Sequence, residues 1–277
     1  MAFALPPSAA EAGYRLLSRD SIGSTSAEAV ALGRGGEAGP LWVVAGRQTA
    51  GRGRRGSAWA SPPGNLAASL LLTGAWEPQR AATLGFAAGL ALHDALSVLC
   101  PGTAFTLKWP NDLLADGAKL AGILLETEAP ARDQRITASR DHGITGSRGH
   151  RIVVVGIGVN VAAAPEGLPY PATSLAALGH AVMVEEVFEA LAASWIACER
   201  LWDDGCGMAA LRERWLAAAA GLGDDIAVRL GPATLHGTFE TIDAAGQLVL
   251  RLPGGALHAV AAGEVHFGPA ATAREMA

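Results

Sequence analysis

Apolar and polar positions follow two different rhythms along the chain. Short apolar runs bounded by turn residues predict strands at Tyr14–Leu17, Leu41–Ala45 and Leu66–Leu72. Buried strands are also predicted at Phe105–Trp109, Leu120–Leu125 and Ile152–Val159, the last with a nearly uninterrupted apolar run. Helical spacing takes over at Gln79–Leu99, where Leu92, Leu96 and Leu99 recur at i, i+4 and i+7. It returns at Val184–Trp202, with Val187, Leu191, Trp195 and Cys198 along one face, and at Met208–Ala220, where Leu211 pairs with Trp215. Thr25-Ser-Ala-Glu28 has the spacing of a capping box and opens a short Ala-rich helix ending near Gly33.

After Gly221 the texture changes. Ile226–Leu230, Leu235–Ile242, Gln247–Leu252 and Ala256–Val260 are short strands about ten residues apart, separated by Gly, Pro and Asp turns. That spacing suggests a small β-barrel. Residues 1–222 are therefore read as one domain, 223–268 as a second, and 269–277 as a loose tail. Residues 130–151 fit neither rhythm. They hold five Arg, two His and almost no large apolar residue between two buried strands, which predicts a long mobile excursion. A basic recognition loop is the alternative reading there.

Half of the 277 residues are hydrophobic, enough to bury a sizeable core without disulfides or metals. The abundance of Ala and Gly reads as compositional bias. A net charge of −5 argues against a protein built to coat nucleic acid or an anionic membrane. Cys100, Cys198 and Cys206 form no CxxC pair, and three thiols cannot all be paired within one chain, so reduced structural cysteines are expected. The first residues lack a basic segment followed by a long apolar run, and no stretch of about 18 uninterrupted apolar residues occurs. These features together predict a soluble cytoplasmic protein.

The chemistry concentrates in three segments. In Gly46–Trp59, Arg47, Arg52, Arg54 and Arg55 crowd into nine positions, within a stretch from Ala38 to Trp76 that has no acidic residue. Such arginines make sense if a carboxylate or phosphate completes the site, and the glycines let backbone approach it closely. Gly51-x-Gly53-x-x-Gly56 also fits a dinucleotide fingerprint. That reading needs a helix immediately afterwards, and Ser57-Ala-Trp-Ala-Ser-Pro-Pro-Gly-Asn65 cannot supply one. A basic surface loop with no ligand is the bland alternative.

The second segment runs from Lys108-Trp-Pro-Asn-Asp to Lys119-Leu-Ala-Gly-Ile-Leu, with a turn at Asp116-Gly117. A hairpin here would present two ammonium groups beside Asn111 and Asp112 at one sheet edge. Against this, both lysines could snorkel outward and Asn-Asp be turn chemistry alone. The third segment, Gly156-Ile-Gly-Val-Asn160, closes a buried strand. Its glycines suggest close packing against backbone, although a bulge explains strand glycine more often. Asn160 there could hydrogen-bond a purine edge.

Taken in order and spacing, Gly-Arg-Gly-Arg-Arg-Gly with Trp59, Ser61-Pro-Pro-Gly-Asn65, Lys-Trp-Pro-Asn-Asp, Lys-Leu-Ala-Gly-Ile-Leu and Gly-Ile-Gly-Val-Asn resemble the biotin–protein ligases over roughly residues 20–268. The resemblance implies an α+β fold: a class II synthetase-like ligase domain with a mixed, largely antiparallel sheet flanked by helices, then a small SH3-like β-barrel. It implies ATP-dependent formation of biotinyl-5'-AMP, with Mg²⁺ on the triphosphate and no protein-held metal, then transfer to a lysine of the biotin carboxyl carrier protein of an acetyl-CoA or related carboxylase.

Carried over residue by residue, the resemblance puts Ser24, Thr25 and Gln48 near the biotin head. Ser26 stands where the family usually has Asn. Gly51, Arg52, Gly53, Arg54 and Arg55 would fold over the carboxylate and phosphate, with Trp59 as an apolar wall. Lys119 would hold the carboxylate and then the phosphoryl oxygens, with Lys108 and Gly122 in the same motif pair. Asn111 and Asn160 would lie near adenine, and Asp112 would orient or deprotonate the carrier lysine. Lys119, Arg54 and Asp112 are thus the catalytic candidates. Such a protein would be a monomer or weak homodimer with no nucleic-acid or membrane partner. The competing readings are a lipoate or octanoate ligase or transferase, a biotin-sensing DNA-binding repressor, and a non-catalytic biotin-binding module.

Overall fold

The computed structural model describes residues 2–129 and 150–267. The excursion expected at 130–151, apart from its last two residues, and the expected tail lie outside these.

The first part of the chain forms α1 (Pro7–Glu11), β1 (Arg15–Arg19), α2 (Thr25–Arg34), β2 (Leu41–Ala45) and β3 (Leu66–Gly74). Then come α3 (Pro78–Ala82), α4 (Leu84–Leu99), β4 (Phe105–Lys108), β5 (Asp112–Ala115), β6 (Ala118–Glu128) and β7 (Arg151–Val159). Two helices, α5 (Val184–Trp202) and α6 (Met208–Ala217), precede β8 (Asp225–Leu230), β9 (Ala233–Ile242), β10 (Leu248–Arg251), β11 (Leu257–Val260) and β12 (Glu264–Phe267).

The first seven strands make one sheet in the order β1-β2-β3-β7-β6-β5-β4. Only β1 and β2 run parallel; the other pairs are antiparallel. Helices cover both faces, which explains why β7 reads as an unbroken apolar run. Its Val153, Val155 and Ile157 face the large core with α4 and α5. Ile152 and Val154 face the other way, against Ala29 and Val30 of α2.

Several elements depart from the expected boundaries for local reasons. The helix expected at Gln79–Leu99 breaks at Thr83, whose hydroxyl donates to the Arg80 carbonyl at 2.7 Å and accepts from Trp202 Nε1 at 2.7 Å. By length and composition Pro78–Leu99 is apolar enough to cross a membrane; here Leu84, Leu90, Leu92 and Leu96 are buried in the core, which accounts for that character. The helix expected to reach Ala220 ends at Ala217. The next residues peel away to bond both sides of Leu107 in β4, through Leu107 N to Ala218 O and Ala220 N to Leu107 O, each 2.8 Å. This covers an otherwise open sheet edge. The cap of α2 is Ser24, not Thr25: Ser24 Oγ accepts from Ala27 N at 3.4 Å, which leaves the Thr25 hydroxyl free for other partners.

The last five strands form an antiparallel sheet in the order β11-β10-β9-β8-β12, with Val228, Phe239, Leu248 and Leu250 buried. It docks on the first part through Trp109, whose Nε1 donates to Gly246 O at 3.0 Å. Gly246 sits so close to Phe86 that a Cβ there would lie 2.6 Å from the ring. This docking brings β12 to the mouth of the cleft described next.

Candidate active site

A cleft of about 820 Å³ opens on the α2 side of the sheet, within the range of cofactor and substrate sites. Its floor is made of glycine. Gly122 and Gly158 are direct partners across β6 and β7. A Cβ at Gly158 would lie 2.4 Å from Trp59 Nε1, one at Gly156 2.6 Å from Ser26 Oγ, and one at Gly122 3.1 Å from Trp59 Cζ3. Pairing of β7 with both neighbours runs unbroken through these positions. The glycines therefore serve close approach, not a bulge.

Trp59 reaches this floor from a small hairpin. Arg52 is bridged to Ala58, Trp59 N donates to Gly51 O at 2.9 Å, and Gly53 N donates to Ser57 O at 2.7 Å. A Cβ at Gly51 would strike the Trp59 carbonyl at 2.4 Å. The tip, Arg54–Gly56, is a 3-10 turn with Arg55 and Gly56 at positive φ, and Ser57 is extended. No helix follows, so the dinucleotide alternative lacks the helix N-terminus that it needs.

At one end of the cleft lies a buried chain of hydroxyls. Gln48 Oε1 accepts from Thr25 N at 2.8 Å and from Thr25 Oγ1 at 3.1 Å, while Gln48 Nε2 donates to Ser61 Oγ at 3.0 Å. Ser69 Oγ donates to Thr25 Oγ1 at 2.8 Å and shares a 3.0 Å hydrogen bond with Ser26 Oγ. In the sequence Ser61 stands out only as the start of the Ser-Pro-Pro-Gly-Asn motif, and Ser69 only as a hydroxyl amid the apolar run of β3.

At the other end lie the cations. Two successive hairpins, not one, carry them: β5 lies between Lys108 and Lys119, and Lys108 pairs in register with Asp112. Lys119 Nζ lies 2.8 Å from Asp112 Oδ1, 5.8 Å from the Trp59 ring centroid and 5.3 Å from that of Tyr170. Arg54 Nη1 donates to Asn111 Oδ1 at 3.0 Å, and Asn111 Nδ2 is fixed by Ile123 O at 2.7 Å. Such an arrangement suits a neutral, hydrogen-bonding head joined through an apolar stretch to anionic groups.

The chain matches the Biotin/lipoate A/B protein ligase family over residues 33–138 and the Biotin protein ligase C terminal domain over residues 221–268. It is 42% identical over 252 residues to a Biotin--[acetyl-CoA-carboxylase] ligase of Paracoccus denitrificans, covering 88% of this chain and 97% of that one. The chain belongs to the biotin protein ligase family. It is also 31% identical over 246 residues to the Bifunctional ligase/repressor BirA of Bacillus spizizenii, covering 86% of this chain and 70% of the relative. The fold is that of the biotin protein ligase from Aquifex aeolicus solved in complex with biotin and ATP, with TM-score 0.71, 24% identity, and coverage of 91% and 97%.

Set against the family's motifs, most candidate residues converge on the cleft. Thr25, Ser26, Gln48, Arg52, Gly53, Arg54, Arg55, Trp59, Lys108, Asn111, Asp112, Lys119 and Gly122 all line it. Three candidates do not. Ser24 caps α2, and Gly51 is packed against Trp59 O. Asn160 is buried with its Nδ2 donating to Thr173 O at 3.1 Å. There it tethers the strap that carries Tyr170. Its neighbour Asn65 does similar work, accepting from Ala162 N at 2.9 Å and Ala163 N at 3.1 Å.

Other lining residues went unread in the sequence. Tyr170 stands between Pro169 and Pro171, and that pattern was a usable signal. Arg229, Glu264, His266 and Phe267 come from the C-terminal sheet and carry no local signature. Lys108 Nζ lies 5.3 Å from the Phe267 ring. Burial holds the Lys108 amine below the usual lysine value; Asp112 and Glu264 oppose this and Lys119 adds to it. Burial likewise lowers the Arg54 guanidinium, reinforced by Arg55 and opposed by Asp112 and Glu264. Arg52, Arg54, Arg55, Arg229, Lys108 and Lys119 line the cleft against the carboxylates Asp112 and Glu264, an excess of positive charge that suits anions.

Proposed function

We propose that this chain condenses biotin with ATP to biotinyl-5'-AMP and then passes the biotinyl group to a lysine of a biotin carboxyl carrier domain. The observation that carries the reading is the cleft itself: the Thr25–Gln48–Ser26 hydroxyl pocket at one end, the Trp59 wall, and Lys119, Lys108 and Arg54 at the other. The ureido ring is a neutral head with donors and acceptors, and the valeryl chain is apolar and ends in a carboxylate.

In the first step a carboxylate oxygen attacks the α-phosphorus, and the bond to the bridging oxygen breaks with loss of pyrophosphate. Two anions must meet, so cations that gather them and hold charge on the phosphoryl oxygens lower the barrier. Lys119 and Arg54 are assigned that work. Asn111 keeps Arg54 aimed inward through their 3.0 Å hydrogen bond. In the second step the carrier amine attacks the acyl carbonyl, AMP leaves, and the amine loses a proton. Asp112, held by Lys119 at 2.8 Å, is the carboxylate assigned to orient or deprotonate that amine. Closing the arginine loop shields the mixed anhydride from water.

Mg²⁺ would neutralise charge on the triphosphate. Among the described residues no group of three His, Cys, Asp or Glu side chains is placed to hold a metal ion. The nucleotide would carry the ion, with Asp112 and Glu264 as the carboxylates that line the cleft. The C-terminal sheet is read as an SH3-like barrel, with 1–222 and 223–268 as the two domains. A cytoplasmic monomer or weak homodimer without nucleic-acid or membrane contacts completes the proposal, and the net charge of −5 supports it.

The test is ATP-dependent transfer of labelled biotin to a carboxyl carrier domain, with Asp112→Asn alongside. Transfer by the wild type, with the variant forming adenylate yet transferring slowly, is expected. Wild-type inactivity would defeat the proposal; transfer by Asp112→Asn at the normal rate would remove Asp112 from its role.

A further inference from the structure

The hairpin that covers the cleft is fastened at a place outside the reacting groups. Arg52 Nη2 lies 3.1 Å from Glu126 Oε1 and 3.3 Å from Glu126 Oε2. Glu126 stands on β6, four residues beyond Gly122, and does not line the cleft. Side chains two and four apart on a strand share a face, so the glycine floor and this carboxylate look the same way. Glu128, two residues further on, is engaged by Arg34 of α2.

Three observations make the contact more than a surface ion pair. The loop's own stretch, Ala38 to Trp76, contains no acidic residue, so counter-charge for Arg52 has to come from another element. Arg52 is bridged to Ala58 across the hairpin, so restraining its guanidinium restrains both limbs. The next residue after that bridge is Trp59, whose ring rests on Gly158 and Gly122. A pull at Arg52 toward β6 therefore presses the tryptophan wall onto the floor.

We propose that Glu126 is a positioning residue that latches the arginine loop shut through Arg52. The side chains are 47% and 28% exposed, which makes the latch weak and screened by salt. A weak latch is what a cover needs if it must admit substrates and then open for the carrier. Only the second readout below rests on the proposed function.

The first readout is hydrogen exchange of the Gly51–Trp59 amides in the ligand-free full chain, comparing wild type, Glu126→Gln and Glu126→Asp. The loss of a partly exposed ion pair predicts exchange about two- to five-fold faster in Glu126→Gln, with other regions and Tm unchanged. Glu126→Asp falls between. At about 1 M salt, where screening acts within ~3 Å, the wild type exchanges as fast as Glu126→Gln. The second readout is dissociation of the adenylate, about two- to five-fold faster in Glu126→Gln with kcat at saturation unchanged. Unaltered, salt-independent exchange in the loop would overturn the latch. So would an equal effect of Glu126→Gln in an Arg52→Gln background, because it would then act through another group. A wild type that forms no adenylate would defeat the proposed function, and the exchange readout would still decide the latch.

Discussion

Replacing Gly158 with alanine tests whether the glycine floor exists to seat Trp59. The added Cβ would lie 2.4 Å from both Trp59 Cε2 and Nε1 and 2.7 Å from Cζ2. Relaxed carbon contacts sit at about 3.5–4.0 Å, so the ring has to retreat by roughly 1 Å. The backbone at Gly158 is ordinary strand, so alanine adds no backbone strain. Overpacking of this kind costs about 1–3 kcal/mol. Because the ring hangs on a surface hairpin, the loop gives way before the core does, and the loss falls on ligand binding. At 1.4 kcal/mol per tenfold this is a drop of roughly 5- to 150-fold in affinity for biotin, with Tm nearly unchanged. Calorimetric titration with biotin and a thermal melt measure both. Gly85→Ala is the control: a Cβ there meets no atom within 4 Å, and it should bind as wild type. Biotin bound by Gly158→Ala within twofold of wild type would refute the reasoning.

Three further substitutions probe other parts of the account. Arg54→Ala removes the charged hydrogen bond to Asn111 and the cation proposed to meet the phosphate; contacts of that kind are worth about 1.5–3 kcal/mol, so the adenylate should leave about 10- to 150-fold faster in a dilution-chase assay. Lys108→Met addresses pH. The amine's folded value is below 10.5, so between that lowered value and 10.5 the unfolded chain holds a proton that the folded one does not. Stability of the wild type therefore rises with pH through this window, and urea unfolding of Lys108→Met should lack that rise. Trp109→Phe leaves Gly246 O without its buried donor, at about 1–3 kcal/mol. It should lower Tm and raise KM for ATP more than KM for biotin, because Phe267 and Glu264 reach the cleft only through the docked C-terminal sheet.

The sequence disclosed elements whose signal is local. The α5 limits match the predicted Val184–Trp202, since its apolar stripe and the acidic pair Glu185 and Glu186 in the first turn mark it without outside help. The β2 limits match as well, as a bounded apolar run. Hidden elements were those defined by their partners. β5 is four residues squeezed between Pro110 and the Asp116-Gly117 turn, and β12 is Glu-Val-His-Phe, four residues with no apolar run to mark them. The glycines of β7 were visible, but only unbroken pairing with both neighbours and the side chains seated on them distinguish a seat from a bulge. The same limit applies within the site. Arg52, Arg54, Lys108 and Lys119 announce themselves as charge in apolar or glycine-rich surroundings. Arg229, Glu264 and Phe267 become part of the cleft only when Trp109 docks the second sheet. The hydrogen bond from Asn160 to Thr173 O answers a backbone need that no sequence pattern reveals.

The most direct test of the central claim is pyrophosphate release from ATP and Mg²⁺ by the purified protein, with biotin, lipoate or octanoate as the acid. The hydroxyl pocket around Gln48 and Thr25 predicts release with biotin and none with the other two, whose heads offer no matching donors and acceptors. Release with lipoate or octanoate would contradict the account and move the protein to a different cofactor acid. Silence with all three would leave a binding module in place of a ligase.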